Sequence, residues 1–203
     1  MGIRPHFGLV MDLQLDTPAI WWFVSRASGI VAWSLLVVAV VIGILLATRV
    51  LKPNDSPSWL FHFHNWLSGL TFVFAITHVV ALMLDSFVTF TILDIAVPFH
   101  SDYVKNPSLG RFPIAFGVLS LHILFAVQLT SLLRQKMTTK AWKAVHYLSY
   151  LLVLLVSAHA GWTGTDVSNW IYRSIGIFLI LLTIVAVIVR LRVTRIKKSL
   201  HVS

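Results

Sequence analysis

The stretch that decides the fold is HNWLSGLTFVFAITH, residues 64–78, in which two histidines enclose a run without a charged side chain. A second histidine pair, His146 and His159, lies 13 positions apart on a later apolar segment. Imidazole is costly in the hydrocarbon core of a membrane, so a histidine there marks a functional site by default. These two pairs therefore guide the interpretation of the whole chain.

Composition places the chain among integral membrane proteins. Of its 203 residues, 58% are apolar and 11% are charged, whereas a soluble domain carries about 25% charged residues. No charged residue occurs between Arg26 and Arg49, and about 20 apolar residues are enough for a helix to span a bilayer. The basic residues behind the net charge of +9 cluster in connections and in the tail rather than on one soluble face, which argues against a nucleic-acid partner.

Five apolar segments are long enough to span, which predicts an all-α membrane protein built as a bundle of five transmembrane helices. We place these helices at Ile20–Ala47, Trp59–Leu84, Arg111–Leu133, Ala141–Trp162 and Ser168–Arg190. They form one transmembrane domain, residues 20–190, between an N-terminal extracytoplasmic segment, 1–19, and a basic cytoplasmic tail, 191–203. The first 19 residues lack the apolar core and cleavage site of a signal peptide, so the first helix is expected to remain as an anchor.

Charge patterning predicts the orientation. Lysine and arginine concentrate after the first and third helices and in the tail, whereas the opposite connections hold Asp85, Asp94, Asp102 and Asp166. The positive-inside rule then predicts a multi-pass protein of the inner or plasma membrane, with its N-terminus outside and its C-terminus in the cytoplasm. The segment Phe87–Phe99 is too short to span, and it is equally compatible with an interfacial helix or lid and with a loop that makes apolar contacts.

Helix geometry relates the histidines to one another. Fourteen residues rise about 21 Å and return to within about 40° of the starting direction, so His64 and His78 share a face near opposite sides of the membrane. Small residues lie between them on that face: Ser68, Thr71 and Ala75. Thirteen residues rotate the face by roughly 140°, so His146 and His159 align only if their helix is distorted or if the two sites are rotated relative to each other.

Depth pairs the histidines across helices. His64 and His146 both lie near the predicted cytoplasmic side, whereas His78 and His159 both lie near the outer side. Two imidazoles at each level suit a six-coordinate iron, and bis-histidine ligation favours electron transfer over gas binding. The chain has no cysteine, so thiolate ligands and thioether attachment are excluded and any haem is non-covalent. The pattern therefore predicts two stacked b-type haems between neighbouring helices.

Other readings of these residues stay open. A non-haem membrane transporter or assembly protein is the alternative from another class, and a third interpretation keeps one haem and makes the other pair structural. Near the outer end of the first helix, Arg26 could contact a haem propionate or snorkel to the interface, and Lys143 offers a similar choice near the inner pair. His62 is a weaker rival to His64 or a hydrogen-bonding partner at the inner haem edge. His122 is expected to bond a neighbouring helix, with a haem or quinone contact as the alternative. No role is assigned to His6, His100 or His201.

Four local runs carry a resemblance to a known family: HNWLSGL (64–70), THVVALMLDSFV (77–88), VHYLSY (145–150) and HAGWTGTD (159–166). Together with the 14- and 13-residue spacings of the histidines, they resemble the small bacterial branch of the ferric-reductase-like transmembrane domain, which is related to the NADPH-oxidase membrane core. The resemblance covers nearly the whole chain. It makes the 13-residue interval a family feature.

The resemblance implies two b-type haems, with His64, His78, His146 and His159 as iron ligands, and electron flow from the cytoplasmic side outward. Arg26 resembles an arginine near the outer haem of the oxidases. The oxidases carry a further histidine where this chain has Leu82, so superoxide production is not expected. No nucleotide-binding motif follows the fifth helix. We therefore expect an electron-transfer subunit or oxidoreductase with a separate donor (a flavoprotein, a quinol or a redox subunit) and an extracytoplasmic acceptor, for which ferric iron is the family analogy.

Overall fold

The computed structural model describes residues 17–49, 58–86 and 88–200, which are helical apart from turns and short connections. Within these ranges, five helical stretches are long and apolar enough to cross a membrane. The α-helices are α1 (Thr17–Thr48), α2 (Ser58–Leu84), α3 (Ile92–Ala96), α4 (Phe112–Leu132), α5 (Thr139–His146), α6 (Leu148–Thr163) and α7 (Trp170–Leu200). Two short 3₁₀ turns, Arg134–Lys136 and Thr165–Ser168, join α4 to α5 and α6 to α7.

The five predicted spans are present as helices, and the last helix extends beyond the predicted end of its span. The last helix does not stop at Arg190 but continues to Leu200. Most of the segment predicted as a separate tail is thus the final turns of α7. Lysine and arginine have good helix propensity, so a helix can continue through a basic segment. The start of the basic residues therefore does not mark the end of the helix.

The fourth predicted helix is two helices, because the chain breaks at Tyr147. The Tyr147 amide still donates to the carbonyl of Lys143 at 3.0 Å, but the Tyr150 amide donates back only three residues, to the Tyr147 carbonyl at 3.2 Å. Such a tightened turn changes the rotation per residue from that of an ideal α-helix. A distorted helix was one of the two explanations that the 13-residue histidine spacing left open.

The core of the bundle surrounds α1. Its buried residues Trp33, Val37 and Ile44 pack with Leu152 of α6 and Leu179 of α7 in one apolar cluster. A second cluster joins α1 to α2. Helix α1 therefore lies against both α2 and α6, which carry three of the four candidate histidines.

The outer surface of the bundle is apolar. Large side chains that are exposed include Phe61 on α2, Phe125 on α4 and Phe178 on α7. Apolar groups on the outside are stable in lipid, where no water has to be displaced. Together with the five long helices, this surface fits a multi-pass membrane protein.

The two ends of the bundle differ in charge. The end where α4 stops and α5 begins, which we call the basic end, carries Arg134, Lys136, Lys140 and Lys143. The opposite end, which we call the acidic end, carries Asp85, Asp94, Asp102 and Asp166. The described residues thus keep the charge asymmetry on which the predicted orientation depends.

At the acidic end, the segment between α2 and α4 contains the five-residue helix α3. The sequence was compatible with either a helix or a loop here, and the structure has a short helix within a loop. Thr91 and Asp94 form a reciprocal capping box at its start. Hydrogen bonds from the side chain of Thr91, from His100 and from the Thr91 amide lower the pKa of Asp94 from 3.8 to about 2. Phe87, which begins the predicted segment, lies outside the described residues.

The capping box predicts a pH dependence for this segment. Because the pKa of Asp94 is lower in the folded state, its contribution is complete above about pH 4 and is lost as the pH falls towards 2. We expect Asp94→Asn to speed amide hydrogen exchange between residues 91 and 97 by roughly fivefold at pH 6, the size of a lost helix cap. Near pH 2 the variant and the parent should exchange alike. Equal rates at both pH values would contradict this role for Asp94.

Candidate functional site

The structure brings the four predicted histidines together in the two predicted pairs. The ring centroids of His64 on α2 and His146 on α5 lie 6.2 Å apart, and we call these two the basic-end pair. The ring centroids of His78 on α2 and His159 on α6 lie 6.4 Å apart, and we call these two the acidic-end pair. The planes of the two rings are inclined at 64° in the first pair and 79° in the second.

Backbone carbonyls fix three of these four rings. The Nδ1 atom lies 3.0 Å from the Ala39 carbonyl oxygen in His64 and 2.7 Å from that of Ser25 in His78. In His159 it lies 2.8 Å from the carbonyl oxygen of Pro113. A carbonyl oxygen can only accept, so Nδ1 carries the proton and Nε2 keeps its lone pair. Each of the three rings therefore offers Nε2 as a metal ligand.

His146 is held differently. Its Nδ1 atom is buried and has no hydrogen-bond partner within the described residues. The ring stacks instead on Trp142, one turn earlier on α5, with centroids 4.9 Å apart and planes inclined at 27°. A stack of this kind limits the tilt of the ring but does not decide which nitrogen carries the proton.

A cavity of about 250 Å³ lies beside the acidic-end pair, between α1, α2, α4 and α6. Its lining is mostly apolar and includes His78, His159, Thr71 and Ala75. Two of the small residues predicted to leave room beside the histidines of α2 thus line a real space. The third, Ser68, turns its hydroxyl back to the carbonyl of His64.

The cavity is covered at the acidic end by the segment that contains α3. Phe90, Ile95 and Tyr103 line it from this side. The Nζ atom of Lys105 donates to the carbonyls of Thr163 and Gly164, at 2.9 and 2.7 Å, and so ties the segment to the end of α6. This contact holds the segment over the acidic-end side of the cavity.

Arg26 lies at the rim of the same cavity and forms an ion pair with Asp166. The Nε atom of Arg26 donates to Oδ2 of Asp166 at 3.0 Å, beside a second contact between the guanidinium and Oδ1. From the sequence, Arg26 was considered as a partner of a haem propionate or of the membrane interface. A carboxylate of the chain itself was not considered. The two residues are 140 positions apart, and nothing in the local sequence links them.

Sequence reasoning also missed the contacts of Arg190, on α7, with two tyrosines that follow His146. Its Nη1 atom donates to the hydroxyl of Tyr150 at 2.6 Å, and its guanidinium lies over the rings of Tyr147 and Tyr150. No ion pair of Arg190 with a carboxylate appears among the described residues. Lys143, which was considered as a propionate contact near the basic-end pair and interpreted rather as an orienting charge at the membrane surface, is exposed.

The remaining histidines lie apart from the pairs. His62 is exposed beside Phe61, and His100 contacts Asp94 at 2.9 Å. His122 was expected to bond a neighbouring helix, and this was wrong: its Nδ1 lies 2.9 Å from the carbonyl oxygen of Val118 on its own helix. His6 and His201 lie outside the described residues. Within those residues, no group of three or more histidines and carboxylates is gathered as a metal site.

Comparison with known proteins gave one match. The model of a family described as "Ferric reductase like transmembrane component" matches residues 28–157, which is more than half of the chain. The matched region contains His64, His78 and His146, and His159 follows two residues after its end. A search of curated proteins and a search of solved structures each found no match.

Proposed function

The chain belongs to the ferric-reductase-like transmembrane component family, and we propose that it is a di-haem b-type cytochrome that passes single electrons across the membrane. Membership itself points to a membrane electron-transfer role with redox partners. The proposal adds the cofactor, its ligands and the direction of transfer. His64 and His146 would hold one haem, and His78 and His159 the other.

One observation carries the proposal: the spacing of the rings within each pair. A metal–imidazole bond is about 2 Å long, and the ring centroid lies roughly 1 Å behind the nitrogen, so two imidazoles on opposite sides of one metal have centroids about 6 Å apart. The observed separations are 6.2 and 6.4 Å. Two packed rings without a metal between them are under no requirement to keep this distance twice.

The surroundings of the acidic-end pair support the same cofactor. Its rings present Nε2, and the adjoining cavity has a mostly apolar lining in which small side chains such as Ala75 leave space. A flat apolar macrocycle with charged groups at one edge suits such a cavity when the rim holds a cation. Arg26 provides that cation and would contact a propionate, with Asp166 as its partner within the chain.

When bound, the two haems would supply one-electron redox chemistry at two depths in the membrane. The contribution of the chain would be two imidazole ligands at each level, which would leave no open position on the iron for a substrate. Helices α1, α2, α4 and α6 surround the acidic-end pair with a mostly apolar lining, and the segment with α3 lies over it. A fixed, dry ligand set changes little between oxidation states, which favours rapid electron transfer over bond-making chemistry.

Charge supports a direction for the transfer. With the basic end in the cytoplasm of a cell whose inner or plasma membrane holds the protein, electrons enter at the basic-end pair and leave at the acidic-end pair. The donor would be a separate flavoprotein, quinol or redox subunit, and the acceptor an extracytoplasmic partner. By analogy with the family, ferric iron is one such acceptor.

Haem counting and a redox titration of the purified protein test the proposal. We expect about two haems per chain, a low-spin b-type spectrum, and two one-electron transitions. In proteoliposomes with known orientation, a donor supplied at the basic end should reduce an impermeant acceptor at the other end. Colourless protein that folds normally would favour a transporter or assembly protein without haem and overturn the proposal.

The ion pair at the cavity rim predicts opposite electrical effects for its two members. Removal of the negative charge in Asp166→Asn should raise the midpoint potential at the acidic-end pair, because the oxidised, more positive iron loses a favourable charge nearby. Arg26→Gln should lower it for the converse reason. Each shift should be on the order of tens of millivolts, since both side chains are partly exposed and screened.

A redox titration that resolves the two transitions measures these shifts. The transition assigned to the basic-end pair is the internal control and should stay in place in both variants. Shifts of the same sign in Asp166→Asn and Arg26→Gln would contradict the electrostatic account and point to a structural change at the rim.

A further inference from the structure

Three of the four histidine rings rest on the same local feature of a neighbouring helix. His78, His64 and His159 contact the carbonyls of Ser25, Ala39 and Pro113, and in each case a glycine follows four residues later: Gly29, Gly43 and Gly117. We call each carbonyl with its glycine a carbonyl seat. Two seats lie on α1, 14 residues apart, as are the two histidines of α2 that occupy them.

Helix geometry explains why the glycine is needed. In an α-helix, the carbonyl of residue i points along the axis towards residue i+4. A side chain at that position covers the carbonyl, whereas glycine leaves it open for a second donor. A Cβ atom added to Gly117 would lie 2.7 Å from the ring of His159. The corresponding distances are 3.0 Å from Gly29 to His78 and 3.2 Å from Gly43 to His64.

The fourth position of this arrangement lacks a seat. The equivalent positions on α4 at the level of the basic-end pair lie 14 residues after Pro113 and Gly117, on the same face of the helix. They are occupied by Val127 and Ser131. The hydroxyl of Ser131 donates to the Val127 carbonyl at 2.7 Å, and that of Thr130 donates to the same oxygen at 3.2 Å. This carbonyl is therefore already occupied. His146, the histidine at this level, has an unpartnered Nδ1 within the described residues.

We propose that Gly29, Gly43 and Gly117 are positioning residues that fix three histidines as iron ligands, and that His146 is the more weakly held fourth. This inference rests on the proposed function. The acidic-end pair then has two supported ligands and the basic-end pair has one. A hydrogen bond from Nδ1–H orients a ligating imidazole and increases its basicity, which strengthens its bond to the oxidised metal. The two levels are thus built unequally by the backbone.

Alanine substitution at the three glycines tests the seats, with Gly69→Ala as the matched control. Gly69 lies on α2 between the two histidines, and a Cβ there would meet nothing within 4 Å. We expect a graded loss in the purified protein, ordered by the distance to the ring. Gly117→Ala should lower the haem content from about two to about one per chain. Gly29→Ala should lower the haem content by less than one per chain. Gly43→Ala should keep both haems and alter the low-spin signal of the basic-end pair only.

A measurement on the parent protein keeps the test independent of how well the variants fold. In reduced, diamagnetic protein labelled with ¹⁵N-histidine, four Nδ1 resonances should belong to iron-bound rings. We expect three of them shifted downfield by a strong hydrogen bond and one, from His146, without that shift. Four equivalent resonances, or glycine variants that all match Gly69→Ala, would overturn the inference.

Failure of this inference can be told apart from failure of the proposed function. Two haems in the parent protein with indifferent glycine variants would leave the cytochrome in place and remove only the seats. A parent protein that folds without haem would remove both, because the histidines would then ligate no iron.

Discussion

Alanine substitution of His64, His78, His146 or His159, one at a time, is expected to halve the haem content of the purified protein from about two to about one per chain. The reason is that a b-type haem would be held by its two histidine ligands and by other non-covalent contacts, without a covalent attachment. Loss of one imidazole leaves a five-coordinate iron in a buried site that offers no replacement. The haem-to-protein ratio and the optical spectrum measure this effect directly.

The level that loses its haem identifies the pairing. His64→Ala and His146→Ala should produce the same redox titration, with one transition missing, and His78→Ala and His159→Ala should lose the other. His62→Ala and His122→Ala are the matched controls, since His62 is exposed and His122 contacts its own helix. Retention of two haems in all four ligand variants, or equal losses in the controls, would contradict the assignment.

His146→Ala should differ in degree from the other three. Its ring is held by stacking on Trp142 and not by a carbonyl, so the protein loses less structure when it is removed. We expect this variant to show the smallest change in thermal stability among the four. The comparison separates the role of each histidine as a ligand from its role in helix packing.

The arrangement of the helices could be predicted because it depends on long-range averages of the sequence. The run of residues without charge between Arg26 and Arg49 decides that α1 spans, whatever its neighbours are. The pairing of His64 with His146 followed from depth alone, since helices that cross in the same direction place equal positions at equal levels. Distortion of this helix was one of two explanations for the histidine spacing, and the break at Tyr147 itself could not be predicted, because a single 3₁₀ hydrogen bond leaves no sequence signature.

The supporting contacts could not be predicted, since they join parts of the chain that only the fold brings together. Backbone carbonyls have no residue identity, so the acceptors at Ser25, Ala39 and Pro113 were invisible in the sequence. The glycines four residues later were the available signal. Gly29 and Gly43 repeat the 14-residue spacing of the histidines of α2. A search for matched intervals between small residues and histidines would have found two of the three seats.

Substitution of Trp33 is expected to destabilise the protein more than any other change away from the histidines. Its side chain is 4% exposed at the centre of the bundle. Its Nε1 atom donates to the hydroxyl of Ser157 on α6 at 3.0 Å, and its ring lies 6.2 Å from that of Tyr172 on α7. A Cβ at Gly176 would lie only 3.0 Å from the ring, so α7 approaches the indole closely. One side chain thus joins α1, α6 and α7.

In lipid the cost of removing this ring is lost packing rather than lost hydrophobic burial, because lipid is as apolar as the core. Trp33→Ala should lower the free energy of unfolding by about 3–5 kcal/mol, the usual range for a large buried aromatic residue. Trp33→Phe should cost less, about 1–3 kcal/mol, mainly because the hydroxyl of Ser157 loses its donor. The matched control is Trp66→Ala: this side chain is 60% exposed on α2 and should change stability by less than about 0.5 kcal/mol.

Unfolding in mixed detergent micelles, followed by far-UV circular dichroism, measures these differences, and the haem spectrum recorded in parallel reports the site. Trp33 also lines the cavity beside His78 and His159, so Trp33→Ala should release haem from the acidic-end pair at a lower detergent concentration than from the basic-end pair. If haem left both levels together, the bundle would unfold as one unit and the local role of the indole would be refuted. If Trp33→Ala instead matched Trp66→Ala in stability, the packing of α1 against α6 and α7 would not be what keeps the two rings of the acidic-end pair at their observed separation.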